Sequence, residues 1–225
     1  MNRSQINRIL AEAVSFFQKH HFNLPPWALW SREQWAGKGQ ECREIREKRL
    51  GWDITDFGTE DFGRTGLVLF TLRNGDASPE AAKNYCEKIM IAQQGQVTPW
   101  HYHKAKAEDI INRGGADLVI ELQKANPDGT LSEKDFTVQC DGITRKLKAR
   151  EIIKLTPGES IALEPYTSHT FYGGNGPVMI GEVSKTNDDC TDNFFRDKVG
   201  RFPAITEDEP PLYLLCSEYP PSRQS

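Results

Sequence analysis

The chain has 225 residues and a formal net charge of −4, from 28 basic and 32 acidic side chains. This length favours one large domain, and a mildly acidic balance without a run of Lys or Arg excludes the charge pattern of a nucleic-acid binder. No apolar run approaches the roughly 18–20 residues that cross a bilayer, and the N-terminus lacks the basic-then-apolar order of a signal peptide, so we expect a cytoplasmic protein with no membrane partner.

The first 50 residues predict a helical and proline-rich arm. Apolar side chains recur at helical spacing from Ser4 to about Lys19, and Ser4 is the predicted N-cap. Pro25 and Pro26 lack amide donors, so residues 24–30 are predicted to be extended, and a short helix is predicted to begin at Ser31.

Residues 51–185 predict a barrel of short strands. Alternating or apolar runs recur every ~8–12 residues with turn signals such as Asn74-Gly75 and Asp141-Gly142 between them, which is typical of an all-β sandwich or barrel. The predicted strands are Gly66–Leu72, Tyr85–Gln93, Ala116–Gln123, Phe136–Cys140, Arg145–Ala149, Glu151–Leu155, Ser160–Leu163, Thr170–Tyr172 and Val178–Ser184.

Residues 186–225 predict an extended segment that packs on the barrel, so that the whole chain, 1–225, forms a single domain. Asp188, Asp189 and Asp192 lie near its start and are interpreted as a solvated, capping loop; the alternative is that one of them reaches a ligand at the barrel mouth. The five cysteines are scattered without Cys-x-x-Cys spacing, which favours reduced thiols over a disulfide framework. They are Cys42, Cys86, Cys140, Cys190 and Cys216.

Two histidines in an extended stretch are the strongest chemical signal. Side chains two residues apart share a face, so His101 and His103 point the same way, and Glu108 follows closely. The spacing of Gly95, His101, His103, Glu108 and Gly115 resembles the first cupin motif, which implies a double-stranded β-helix (jelly-roll) barrel and a metal site. A surface strand that happens to contain two histidines is the simpler alternative.

A second stretch resembles the motif that supplies the fourth cupin ligand. Pro165 and His169 match it, whereas Thr167 stands where glycine is usual and Gly173 where asparagine is usual. The resemblance therefore implies that His101, His103, Glu108 and His169 bind one divalent ion. Imidazole and carboxylate ligands suit Mn, Co, Fe, Ni or Zn.

Four longer stretches extend the resemblance to one family of cupins. They are similar to the D-lyxose isomerase family, which interconverts an aldose and a ketose with a manganese-type ion. The resemblance implies this activity on D-lyxose and D-xylulose, with D-mannose and D-fructose as a related pair, and it implies a homodimer and a small-molecule sugar substrate. The stretches are Gly51–Gly58, Phe70–Gly75, Trp100–Asp109 and Tyr166–Tyr172.

An isomerase also needs a group that moves a proton between two carbons. Glu182 lies in an apolar strand on the face of Val178 and Ile180, and a carboxylate that faces a barrel interior is costly unless it is paired or used. Glu182 is the predicted base of a cis-enediol mechanism and Lys106 its charge partner, with a misread register and a surface lysine as the alternatives. Both are also predicted to contact the sugar, as are Trp100 and Asp189. The tryptophans of the N-terminal arm are interpreted as packing against the barrel; the alternative is that one of them covers the sugar pocket.

Two other function classes fit the same ligands. An iron-loaded cupin dioxygenase would use the four residues to activate oxygen, and a non-catalytic cupin would only bind sugar. An inward-facing pair of Glu182 and Lys106 favours the isomerase, because oxygen chemistry needs no such acid–base pair.

Overall fold

Two antiparallel sheets enclose the centre of the molecule. The computed structural model describes residues 1–78, 80–188, 191–200 and 204–222. The first sheet has strand order β1-β2-β3-β12-β5-β10-β7-β8 and the second β13-β4-β11-β6-β9. The strands are β1 (Gly51–Thr55), β2 (Leu67–Asn74), β3 (Tyr85–Ala92), β4 (Thr98–Tyr102), β5 (Glu108–Gly115), β6 (Leu118–Lys124), β7 (Phe136–Cys140), β8 (Ile143–Leu147), β9 (Glu151–Leu155), β10 (Ser160–Leu163), β11 (Thr167–Gly173), β12 (Val178–Lys185) and β13 (Phe194–Phe195).

The mainly-β barrel with N-terminal helices is confirmed. Apolar residues of both sheets form the core between them, and strand alternation turns Val178 and Ile180 of β12 into it. The first strand begins at Gly51 and the last long strand ends at Lys185. The C-terminal segment does more than pack on the barrel, since β13 pairs with β4 and extends the second sheet.

A long helix covers the outer face of the first sheet. Helix α1 (Arg3–Lys19) buries Ile6, Leu10 and Phe17 against β1, β2 and β3, because residues three or four apart share one helix face. Asn2 rather than Ser4 is the N-cap, because Asn2 and Gln5 form a capping box; Ser4 instead donates to Asp208. None of the described helices is long and apolar enough to cross a membrane.

The rest of the arm is folded more tightly than predicted. Residues Pro26–Leu29 form a 3₁₀ turn rather than an extended strand, because proline is tolerated in the first turn of a helix, where no amide donor is needed. Ser31 caps α2 (Arg32–Ala36) with a capping box, as predicted, and α3 (Arg43–Glu47) follows. Trp27 packs on Phe70 of β2, with ring centroids 4.9 Å apart, as the packing interpretation predicts. Trp35 packs instead on Tyr219 of the C-terminal segment, 4.3 Å from its ring.

The described cysteines form no disulfide with one another. Cys42, Cys86 and Cys140 are buried and Cys216 is half-buried. The prediction of reduced thiols is confirmed for these four, and Cys190 lies outside the described residues.

One row of paired residues across the first sheet brings charged side chains together inside the barrel. Gly51 is paired with Thr71, Thr71 with Lys88, Lys88 with Glu182 and Glu182 with Ile110. Directly paired residues on neighbouring strands lie ~5 Å apart, so this register brings side chains from distant parts of the chain side by side.

Candidate active site

Four side chains meet where the two sheets approach each other. His101 in β4 is paired with His169 in β11, and their ring centroids are 4.2 Å apart. His103 directly follows β4, and Glu108 opens β5 in the opposite sheet. All four side chains are buried, His169 with 1% of its surface exposed. The structure thus brings together all four predicted metal ligands.

Three inward atoms of this group lack hydrogen-bond partners in the described part of the chain. Glu108 Oε1 lies 3.5 Å from His103 Nε2 and 3.4 Å from His169 Nε2, and none of the three atoms has a hydrogen-bond partner among the described residues. Buried polar atoms are almost always satisfied, so three unsatisfied atoms facing one another indicate a missing ligand. Ligand atoms of His101, His103 and Glu108 all lie within 4.8 Å of one another, a spacing that a single divalent ion would fill.

The outward nitrogen of each imidazole is fixed by a backbone carbonyl. His101 Nδ1 is 2.8 Å from the Pro99 carbonyl and His169 Nδ1 is 3.1 Å from that of Thr167, while His103 Nδ1 contacts the carbonyl of Asp192. A protonated Nδ1 that donates outward leaves Nε2 with its lone pair directed inward, which is the form that binds a metal.

Burial keeps two of these histidines neutral. It lowers the pKa of His101 well below its ordinary value, and neighbouring histidines lower it further. Burial also lowers the pKa of His103, against an opposing effect of Glu108. A metal can therefore bind these imidazoles near neutral pH without displacing a proton from them.

A lysine–carboxylate cluster, formed by Lys88, Lys106, Glu108 and Glu182, adjoins the histidines. Lys106 Nζ lies 2.8 Å from Glu108 Oε2 and 2.9 Å from Glu182 Oε1. Lys88 Nζ lies 3.2 and 3.3 Å from the two Glu182 oxygens. Asn187 Oδ1 accepts from both lysines, at 2.8 Å from Lys88 and 3.3 Å from Lys106. Glu108 thus offers one oxygen to the histidines and the other to Lys106.

The four groups of the cluster hold each other in the charged state. Burial opposes charge on Glu182, but Lys106 and Lys88 outweigh it and hold the pKa of that carboxyl far below its usual range. Burial likewise opposes charge on Lys106, but Glu108 and Glu182 raise its pKa above the ordinary lysine value. The formal charges of the cluster's four members, two cations and two anions, therefore cancel.

Lys88 is a site residue that the sequence analysis missed. It lies in β3 on the face of Cys86 and Met90, so it points into the barrel, where it is 8% exposed. A lysine at an inward position of an apolar strand was the available signal, the same one that identified Glu182. Asn187 and Ser184 carry weaker signals; Ser184 Oγ donates to Glu182 Oε1 at 3.0 Å.

Asp192 organises the histidine-bearing loop. Its carboxylate accepts hydrogen bonds from the backbone amides of Lys104, Ala105 and Lys106 at 2.7–3.2 Å. The backbone carbonyl of Asp192 also contacts His103, so Asp192 holds the loop between β4 and β5 in place. This role fits the capping interpretation better than the ligand-binding one. Asp188 lines the adjacent cavity, and Asp189 lies outside the described residues.

A cavity of about 440 Å³ opens onto both groups of residues, a volume suited to a small ligand. The histidines and the cluster form its polar wall, and apolar side chains beside them form the rest of its lining. Trp100, a predicted sugar contact, does not line this cavity, because it lies on β4 one residue from His101 and strand alternation turns it to the other face. Phe195 of β13 lines it instead, with its ring 5.5 Å from His101. The apolar lining includes Phe57, Leu69, Met90, Phe171 and Phe195.

Comparison with known sequences gives matches along nearly the whole chain. A sequence model described as D-lyxose isomerase matches residues 1–219. A D-lyxose/D-mannose isomerase from Serratia proteamaculans is 46% identical over 97% of this chain and 98% of its own. A D-lyxose/D-mannose isomerase from Escherichia coli O157:H7 is 45% identical over the same shares of the two chains.

Comparison with solved structures supports the fold. An L-ribose isomerase from Acinetobacter sp. DL28, in complex with L-ribose, superposes with a TM-score of 0.62 over 92% of this chain and 98% of its own. Its sequence identity is 13%, so this likeness concerns architecture alone. Together with the two facing sheets, it confirms the predicted cupin-type barrel.

Proposed function

The chain belongs to the D-lyxose isomerase family and is an aldose–ketose isomerase, and we propose that it interconverts D-lyxose with D-xylulose and D-mannose with D-fructose. The observation that supports this most directly is the lysine–carboxylate cluster at the edge of an unsatisfied set of metal ligands within one cavity. A sugar isomerase needs both a group that moves a proton and a way to stabilise the negative charge that the proton leaves behind.

We further propose one divalent ion per chain, Mn²⁺ in preference to Co, Fe, Ni or Zn, held by His101, His103, Glu108 and His169. The unsatisfied atoms described above support this ligand set. When bound, the ion would act as a Lewis acid that polarises the sugar carbonyl and stabilises the enediolate.

The residues of the cluster have different parts in the proposed proton transfer. Glu182 Oε1 accepts from Lys106 and Ser184, whereas among the described residues Oε2 accepts only from Lys88, at 3.3 Å. Oε2 is therefore the oxygen with capacity to take a proton from C2 of the aldose and return one to C1.

The low pKa of Glu182 keeps it ionised but makes it a weak base. Lys106 is the group that can change this, because its ammonium donates to Glu182 in the absence of a sugar. If Lys106 turns to a sugar oxygen, Glu182 loses one hydrogen bond and one close cation, and its basicity rises. Lys106 would then balance charge on the sugar while Lys88 keeps Glu182 in place.

A substrate panel tests the reaction class. Protein loaded with Mn²⁺ should convert D-lyxose and D-mannose to ketoses without taking up oxygen. Oxygen uptake in place of ketose formation would select the cupin dioxygenase, and sugar binding without turnover would select the non-catalytic cupin. The His103→Ala variant should lose stoichiometric metal; full metal content in this variant would contradict the ligand set.

An isotope experiment tests the path of the proton. Aldose deuterated at C2 should give ketose with partial deuterium at C1, because one shielded carboxylate removes and returns the same atom. Complete retention in ordinary water would instead indicate a hydride shift, in which no base contacts C2. Complete loss would mean that the base exchanges with solvent faster than it returns the proton.

Assembly and location are also proposals. We expect a cytoplasmic homodimer, as the family resemblance implies. Sedimentation of the purified protein at micromolar concentration should give the mass of two chains of 25.5 kDa each, and a single-chain mass would contradict the dimer.

A further inference from the structure

A strained arginine at the mouth of the cavity has no side-chain partner among the described residues. Arg49 follows α3 with a left-handed backbone, φ +50°, and lines the same cavity as the four ligands. The side chain is exposed and makes no hydrogen bond or ion pair with any described residue. The neighbouring Lys48, in contrast, is paired with Asp76.

The backbone explains why Arg49 must be left-handed but not why it is arginine. The Arg49 amide donates to the Arg46 carbonyl at 3.3 Å, and the Leu50 amide donates to that of Ile45 at 2.9 Å, which closes the helix. Glycine is the preferred residue at this position of a helix end, because a side chain there is strained. A strained residue that faces a cavity without a partner is a candidate for a ligand contact.

Strand register places Arg49 at the open end of the site. Gly51, two residues later, is level with Thr71, Lys88 and Glu182 across the first sheet. Because β12 runs from Glu182 toward Asn187 and β1 runs antiparallel to β2, Arg49 extends beyond that row toward Asn187. It also comes from the β1 edge of the sheet, with β2 and β3 between it and the strand that bears Glu182.

We propose that Arg49 is a specificity-determining residue that donates hydrogen bonds to the hydroxyl groups of the sugar remote from C1 and C2. This inference rests on the proposed function, because the reacting carbons must lie between Glu182 and the histidines. The rest of the sugar then extends along the cavity toward the β1 edge. A guanidinium offers five N–H donors in a fixed fork and no acceptor, which suits the oxygens of adjacent hydroxyls.

Two substitutions separate ligand contact from backbone support. Arg49→Gly removes the guanidinium and supplies the residue that the left-handed position prefers, so the melting temperature should stay equal or rise. Asparagine also tolerates a left-handed backbone but is less flexible than glycine, so Arg49→Asn shows whether an effect of Arg49→Gly comes from backbone flexibility. In both variants KM for D-lyxose should rise about tenfold with kcat within about twofold, the size of a lost hydrogen bond to a charged group.

Direct binding gives a second readout, and a matched arginine gives the control. In a Glu182→Gln background, where turnover is blocked, the dissociation constant for D-lyxose should also rise about tenfold when Arg49 is replaced. Arg150→Gly, at an exposed arginine that is also left-handed (φ +62°) but lies outside the cavity and is paired with Glu121 at 3.0 Å, should leave both constants unchanged.

Unchanged KM and affinity in both Arg49 variants, with an active wild type, would overturn this inference alone. A wild type that neither binds nor converts any sugar would overturn the proposed function and this inference together. A fall in kcat with KM unchanged would also contradict the proposal, because it would place Arg49 in the chemical step.

Discussion

Two clusters of charged side chains lie in different parts of this molecule, and they differ in burial and in how fully their polar atoms are paired. In the first, Arg3 of helix α1 donates to Glu207 at 2.6 and 2.8 Å and to Glu218 of the C-terminal segment; we call this the Arg3 clamp. Arg3 is 2% exposed, but Glu207 is 57% exposed and Glu218 is 21% exposed. Solvent therefore reaches the carboxylates, and the guanidinium is fully paired.

The lysine–carboxylate cluster is built in the opposite way. All four of its members are buried, and it adjoins three polar atoms that have no partner among the described residues. A satisfied network needs nothing more than the folded chain, whereas unsatisfied buried atoms cost free energy unless a ligand completes them. The contrast indicates that the Arg3 clamp joins the two ends of the chain, whereas the lysine–carboxylate cluster is part of a ligand-binding site.

The largest expected effect is on turnover, when the same change from glutamate to glutamine is compared between the two clusters. Glu182→Gln keeps the shape but removes the proposed base, so turnover should fall by ~10²–10⁴-fold with metal content retained. Glu218→Gln makes the same chemical change in the Arg3 clamp and should leave turnover at low temperature close to wild type. Near-wild-type turnover of Glu182→Gln would remove Glu182 from the mechanism and shift attention to Lys106.

Metal removal should affect only the cluster that lacks partners. Chelation should abolish isomerisation and lower the free energy of unfolding by about 2.7 kcal/mol relative to protein with metal at a hundred times its dissociation constant. Thermal denaturation with and without Mn²⁺ measures this difference. Arg3→Met protein should show the same metal-dependent increment, since the clamp is remote from the ligands, and loss of the increment would contradict that separation.

Breaking the Arg3 clamp should reduce stability without changing chemistry. Arg3→Met should lower the free energy of unfolding by about 2 kcal/mol, the scale of hydrogen bonds to charged groups, because solvent can rehydrate the stranded carboxylates. For a chain of this size the melting temperature should fall by about 4–8 °C. Arg43→Met, at an exposed pair with Glu47, is the control and should shift stability by less than about 0.5 kcal/mol.

The smallest effect is a pH dependence that distinguishes the histidines beside the lysine–carboxylate cluster from the Arg3 clamp. His101 and His103 have folded pKa values below the ordinary 6.5, so the unfolded chain binds more protons just below that pH. Stability of metal-free protein should therefore be fully present above pH 6.5 and be lost as pH falls from there toward the folded pKa values. Arg3 stays charged throughout, because its pKa is raised by Glu207 against the effect of burial.

Melting temperatures of metal-free protein measured between pH 8 and pH 5 test this expectation. The His101→Ala variant should show a shallower loss than wild type, because one of the two titrating groups is absent. A flat profile for the wild type would contradict buried neutral histidines.

Local pattern was enough to predict most of the site. The spacing of His101, His103 and Glu108 and the alternation around Glu182 depend only on a period of two, and both predictions agree with where the structure places these side chains. The same rule, applied to Lys88, would have predicted its inward position. Trp100 was predicted to contact the sugar because it lies in a stretch that resembles the family. Strand alternation instead places it on the outer face of β4.

By itself, the sequence determined the barrel and the face on which each ligand lies, because these follow from local periodicity and turn chemistry. Only the tertiary structure decided which faces meet. Lys88 and Glu182 are 94 residues apart in the chain and are paired across β3 and β12, and Asp192 reaches the histidine loop from the C-terminal segment. Such contacts depend on strand order and register, which long-range packing sets and no local pattern encodes.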